Sequence, residues 1–227
     1  MALSSTARVR NAAKSMENKE IIIFDLGGVL INLNVSRCMK AFEALMGEQN
    51  MRLVLGMDSQ GEGVKSVSIA SKQLMADFER GLISPDHFIS EVLKFCHAAT
   101  TRQDVVDAWM AMLADLPAER LAFVDQLRAA GHKVYLLSNG NDLHFDFIDA
   151  TYHLHDHFDD FFLSHKMHLA KPEAAIFEAV RSTMPPTDKD IYFIDDIEIN
   201  RLAAQQSVGW KTFSSIPDFQ RACLLQN

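Results

Sequence analysis

The chain has 227 residues, 48% of them hydrophobic and 23% charged, a balance that excludes wholesale disorder. Its 22 Lys and Arg against 30 Asp and Glu leave a net charge of −8, which argues against nucleic acid or an anionic membrane surface as the main partner. The longest apolar run, Ala108 to Ala114, is far too short to cross a bilayer.

This length suits one core domain carrying a sizeable insertion, large enough to need no covalent staples. Cys38, Cys96 and Cys223 are scattered, odd in number and form no Cys-x-x-Cys pair. A reduced, cytoplasmic chain with small buried thiols is the expectation, as a monomer or weak dimer. Met1 to Ser15 carries Arg8, Arg10 and Lys14 and no acid. Without an apolar stretch it is no secretory signal. We read residues 1–16 as a disordered tail, with a transit peptide as the less favoured alternative.

Beyond the tail, strand-like runs alternate with helical patterns, which points to an α/β fold with a parallel sheet. Ile21-Ile22-Ile23-Phe24 reads as a strand buried on both faces. Residues 33–116 break the alternation with amphipathic helices and no convincing strand. Met39, Phe42 and Met46 form one apolar face, and Leu74, Met75 and Phe78 another that ends at Gly81. Ser84 and Pro85 open a helix with Phe88, Ile89, Val92, Leu93 and Cys96 on one stripe. Thr101 and Asp104 have the spacing of a capping box ahead of Val105, Trp109, Met112 and Leu113. Gly61-Glu-Gly63-Val-Lys65-Ser66 lacks the spacing and the preceding strand of a phosphate loop, and reads as a mobile loop.

The alternation then resumes. A helix through Leu121, Val124 and Leu127 stops at Gly131, and strands follow at Val134–Leu137, Phe161–Leu163, Ile191–Ile194 and Trp210–Phe213. Pro172 is expected to open one crossover helix, and another should run from about Glu198 to Gln206. The fold expected is a Rossmann-like parallel sheet core over 17–32 and 117–227, with an inserted helical cap over 33–116.

In open parallel sheets, ligands bind beyond the carboxyl ends of the strands. Those ends carry Asp25, Ser138-Asn139 and Asp195-Asp196, and Lys171 stands at the start of the helix after the third strand. Three crowded acids repel unless a hard cation neutralises them, and Mg²⁺ takes such oxygen ligands. A lysine and a hydroxyl beside it can hold phosphoryl oxygens. His153, His155 and His157, with His165 and His168 nearby, read as surface histidines rather than a transition-metal site. His144 is a candidate substrate contact, whereas Trp109 and Arg80 read as packing and a solvated cation.

Phe24-Asp25-Leu26-Gly27-Gly28-Val29-Leu30, Leu137-Ser138-Asn139, Lys171-Pro172-Glu173 and Ile194-Asp195-Asp196-x-x-x-Asn200 resemble the four motifs of the haloacid dehalogenase-like (HAD) hydrolase superfamily. The helical insertion resembles the C1 cap of subfamily IA. Phe78-Glu-Arg80-Gly81-x-Ile83-Ser84 and Ser138-Asn-Gly-Asn141-x-Leu143-His144 resemble the sugar-phosphate phosphatase branch, glucose-1-phosphatase-like members included. The resemblance implies a Mg²⁺-dependent hydrolase of a small phosphorylated metabolite. Asp25 would be the nucleophile, forming an aspartyl-phosphate, and would bind Mg²⁺ with the Gly27 carbonyl, Asp195 and Asp196. Ser138 and the Asn139 amide would hold the phosphoryl oxygens, Lys171 would stabilise charge, and Asn200 would orient the acid pair. The cap would close over the site and choose the substrate.

Gly27 departs from the pattern. HAD phosphatases usually carry there a second aspartate that protonates the leaving oxygen, a contribution of roughly 10²–10⁴-fold. Two other readings therefore stay open: a slow or non-enzymatic phosphometabolite sensor, and a haloacid dehalogenase, against which the paired acids argue.

Overall fold

The computed structural model describes residues 20–55 and 73–225. The expectations for the N-terminal tail and for the Gly61–Ser66 loop fall outside the described residues. Five strands form one parallel sheet: β1 (Ile21–Phe24), β2 (Lys133–Ser138), β3 (Asp160–Leu163), β4 (Ile191–Ile194) and β5 (Lys211–Phe213), in the order β3-β2-β1-β4-β5. β1 lies between β2 and β4, with Phe24 level with Leu136 on one side and Ile194 on the other. The strand order reverses at β1, so the carboxyl ends of β1, β2 and β4 meet at the switch point.

Alternation along each strand divides the core in two. Ile22, Phe24, Val134, Leu136, Tyr192 and Ile194 face one layer, where they meet α4 (Ala118–Ala129), α5 (Asp142–Tyr152) and α9 (Ile216–Leu225). Ile21, Ile23, Leu137, Ile191 and Phe193 face the other, against α7 (Ala174–Thr183) and α8 (Glu198–Val208). All four β1 residues are buried, which explains their unbroken apolar spelling. Burying each such side chain contributes about 1.5–3 kcal/mol, which holds β1 firmly at the centre of the sheet. Gly131 and Gly209 stop α4 and α8 in left-handed conformations, at φ +96° and +70°.

The expected start of one helix is corrected. α7 begins at Ala174 rather than Pro172, because Glu173 is extended (φ −64°, ψ 134°) and caps the helix instead of joining it. Pro172 lies in the preceding turn, after a cis peptide bond with Lys171.

Between β1 and α4 the described residues are helical: α1 (Val35–Val54), a segment over 73–79, α2 (Pro85–Leu93) and α3 (Arg102–Met110). Their apolar stripes close on a separate cluster that includes Phe42, Met46, Phe78, Phe88, Val92 and Trp109. Phe78 and Phe88 stack with ring centres 4.1 Å apart. The Ser84 cap and the Thr101–Asp104 capping box both form. Neither the break in α1 nor the way its ends are tied was expected. Gly47 (φ +78°) kinks α1, and the two chain crossings to the sheet layer pair as a short antiparallel ribbon at Leu33 and Leu113. Asn34 N–H donates to Met112 O at 2.7 Å, and Arg37 donates to the carbonyls of Ala111 and Leu113.

Candidate active site

Asp25 extends β1 by one residue, its N–H donating to Ile194 O at 2.8 Å. Its side chain therefore emerges at the sheet edge, 6% exposed, where Leu26 N–H donates to Oδ1 at 2.7 Å. Lys171 Nζ is equally buried and uses its three protons on Leu137 O (3.0 Å), Asp195 Oδ2 (2.7 Å) and Asp25 Oδ1 (3.0 Å). Burial alone would lower the Lys171 pKa, but Asp25 and Asp195 more than offset it and hold the ammonium charged. Burial raises the Asp25 carboxyl; Lys171 opposes the shift and Asp195 adds to it.

Asp195 is braced from three more directions. Asn200 Nδ2 donates to both of its oxygens, Ile197 N–H donates to Oδ1 at 2.8 Å, and Arg201 holds the carbonyls of Asp195 and Asp196 at 2.8 Å. Asp196 stands on the open side. Gly28 makes room for it: at φ +76°, a Cβ there would lie 2.4 Å from Asp196 Oδ2. Carboxylate oxygens of Asp25, Asp195 and Asp196 lie within 4.8 Å of one another, the only such His, Cys, Asp or Glu group among the described residues. Acid-only donors at this spacing fit a hard divalent cation. The alternating histidines make no such cluster.

Asn139 is locked to the Lys171 backbone, its Nδ2 donating to Lys171 O (2.8 Å) and its Oδ1 accepting from Lys171 N–H (2.9 Å). Ser138 beside it is 4% exposed. Asp25, Gly27, Ser138, Asn139 and Lys171 all line one cavity of about 370 Å³, which Glu79, Trp109, His144 and His165 also line. The sites expected from the sequence thus converge, and the helical layer supplies part of the lining.

The histidine and arginine expectations need correction. His165 is not a surface residue: its ring is fully buried, because α6 (Ser164–Met167) turns inward beneath the helical layer. Arg80 is no solvated cation. It pairs with Glu173 of the sheet layer, an ion pair spanning 93 positions that no local pattern could announce. Trp109 packs as expected, 3% exposed, stacked on His144 with ring centres 5.1 Å apart. His144 donates from Nε2 to Trp109 O at 3.1 Å, and burial lowers its pKa to about 4, so its ring is neutral near pH 7. The sequence reading missed Arg201, Glu79 and His165 as parts of the site. Glu79 sits inside the quoted Phe78–Ser84 motif, yet only the packing shows which way it is turned.

The haloacid dehalogenase-like hydrolase family matches residues 19–207, a span that holds Asp25, Ser138, Lys171 and Asp195 in order. The chain belongs to that family. It is 25% identical to the D-ribitol-5-phosphate phosphatase of Bacteroides thetaiotaomicron, over 85% of this chain and 89% of that one. It is also similar to a HAD family enzyme of Bacteroides thetaiotaomicron whose structure holds magnesium and inorganic phosphate (32% identity, TM-score 0.72, 87% of this chain and 94% of that one). A HAD-like hydrolase of Porphyromonas gingivalis resembles it as well, at 28% identity and TM-score 0.73, over 92% of this chain and 98% of the other. No described helix is long and apolar enough to cross a membrane.

Proposed function

We propose that this HAD hydrolase is a Mg²⁺-dependent phosphomonoesterase acting on a small hydroxylated metabolite, a sugar or sugar-alcohol phosphate. One observation carries the reading: a buried Asp25 faces a cavity, held by Lys171 and flanked by Asp195 and Asp196 within 4.8 Å. The phosphatase named above and the relative that holds magnesium and phosphate support it.

In this reading Asp25 attacks phosphorus and carries the phosphoryl group, and water then releases phosphate. The Asp25–Lys171 contact fixes the attacking carboxylate before substrate arrives, and that preorganisation is where the protein contributes most. Ser138 Oγ and the Asn139 N–H receive the phosphoryl oxygens, the Asn139 side chain being committed to Lys171. Mg²⁺ held by Asp25, Asp195, Asp196 and the Gly27 carbonyl would neutralise the crowded acids and the phosphoryl charge. Asn200 and Arg201 keep the Asp195–Asp196 turn in place. The helical layer acts as a cap that excludes water and reads the leaving group. Dehalogenation by the same aspartate has no use for three metal-binding acids, so we place it behind the sensor reading.

A screen of phosphorylated metabolites with purified protein, with and without Mg²⁺, tests the proposal. Catalytic, Mg²⁺-dependent phosphate release from an alkyl phosphomonoester is expected. Tight binding of phosphometabolites with no turnover would favour the sensor reading that Gly27 keeps open.

A further inference from the structure

Gly27 leaves the phosphatase reaction without its usual proton donor, and the structure offers a replacement on the cap. An acid at 27 would start close to Leu33: a Cβ there would lie 3.1 Å from Leu33 Cδ1, which would have to shift by a few tenths of an ångström. Among the described residues, the cavity that receives Asp25 is lined by one further carboxylic acid, Glu79. Its backbone is pinned to the sheet layer. The buried Ser164 hydroxyl donates to Glu79 O at 2.5 Å, His168 Nδ1 donates to Arg80 O at 2.7 Å, and Gly81 packs so closely that a Cβ would fall 2.1 Å from His165 O. Yet the Glu79 carboxylate itself makes no hydrogen bond or ion pair with any described residue.

A second polar group lines the same cavity. The His165 side chain is 0% exposed, and Asp142 Oδ1 lies 3.7 Å from its Nε2, beyond hydrogen-bond distance. A free carboxyl and a weakly engaged imidazole in one cavity fit a hydroxyl-bearing leaving group.

Resting on the phosphomonoesterase reading, we propose that Glu79 is the general acid for the leaving oxygen of a hydroxylated alkyl phosphate. As a bond forms from Asp25 Oδ to phosphorus, the ester P–O bond breaks. Its electron pair remains on the alkyl oxygen, which takes the proton from Glu79 Oε. The Glu79 carboxylate then accepts a proton from the water that attacks phosphorus, the Asp25–phosphorus bond breaks, and phosphate leaves. Burial raises the Glu79 carboxyl and so favours the protonated form that must donate. The two histidines lining the cavity do not compete. Burial lowers both His144 and His165, which keeps them neutral, and His144 already donates to Trp109 O.

The test compares full-length wild type and Glu79→Gln on para-nitrophenyl phosphate and on the best alkyl phosphate of the screen. The variant should lose about a hundredfold in kcat/KM, which reports the steps up to phosphoryl transfer to Asp25, on the alkyl ester and at least about tenfold less on the aryl ester, whose leaving group needs no proton. Gly27→Asp added to Glu79→Gln should recover at least about tenfold on the alkyl ester. Equal losses on both esters, or no loss on the alkyl one, would overturn the assignment. Wild type provides a check that needs no folded variant: its kcat across alkyl phosphates should vary little with leaving-group pKa, and a steep dependence would also overturn it. A wild type that hydrolyses no ester would instead sink the phosphomonoesterase reading, and this inference with it.

Discussion

The carboxyl edge of the sheet and the cap turn over 79–81 face the same cavity, but they are finished differently. At the edge the buried charges are satisfied before any ligand arrives: Lys171 has three acceptors, and Asp195 takes hydrogen bonds from Lys171, Ile197 and Asn200. At the cap turn the backbone is bonded and Arg80 is paired with Glu173, while the Glu79 carboxylate makes no hydrogen bond with any described residue. The difference separates two jobs. Groups proposed to attack phosphorus or hold the metal gain from being fixed in advance, whereas a proton donor to the leaving group must stay free to meet it. Groups that read a leaving group must keep their hydrogen-bonding capacity free for it.

The comparison can be broken at several points. Asp25→Asn at the edge should reduce phosphate release by about 10³-fold or more while the protein stays folded, because the Lys171–Asp195 pair survives and the amide keeps the shape. Steady-state kinetics and a thermal melt on the same sample check both halves. Asp196→Ala should weaken Mg²⁺ binding by at least about tenfold in isothermal titration, with the cap undisturbed. Unchanged affinity in that variant would remove Asp196 from the metal site.

At the cap turn the effects should appear as stability. Gly81→Ala forces a Cβ to within 2.1 Å of His165 O at φ +64°, whereas Gly47→Ala meets nothing within 4 Å at φ +78°. Both carry left-handed strain of about 1–3 kcal/mol, but Gly81→Ala should cost more, since backbone must also move. Urea denaturation of the two variants measures the difference. A pH-dependent effect concerns His144. Its pKa falls from about 6.5 to about 4 on folding, so between those values the unfolded chain binds a proton that the folded chain refuses. The contribution is fully present above pH ~6.5 and is lost as pH falls towards ~4, up to about 3 kcal/mol at ~1.4 kcal/mol per unit. Wild type should therefore show a steeper loss of stability over that range than His144→Gln.

What could be read from the sequence follows from the same division. β1 and β4 lie in the middle of the sheet, so Ile21–Phe24 and Ile191–Ile194 are uniformly apolar, and the acids that end them stand out. Motif spacing then placed Ser138, Asn139 and Lys171 correctly beside them. The seam was not legible. Arg80 meets Glu173 and Leu33 meets Leu113 only after the chain has folded, and nothing in either partner's own segment marks the pairing. His165 read as a surface residue because a four-residue helix, Ser164–Met167, has too short a period to reveal its buried side. Arg201 likewise shows its role only when α8 presents it to the carbonyls of Asp195 and Asp196.

The central claim is that Asp25 takes the phosphoryl group. Rapid acid quench of the full chain during turnover of a ³²P-labelled substrate, followed by peptide mapping, tests it directly. Label should appear on the peptide containing Asp25, decay as phosphate is released, and be absent from Asp25→Asn. Turnover with no labelled protein at any quench time, or label on another residue, would contradict the account.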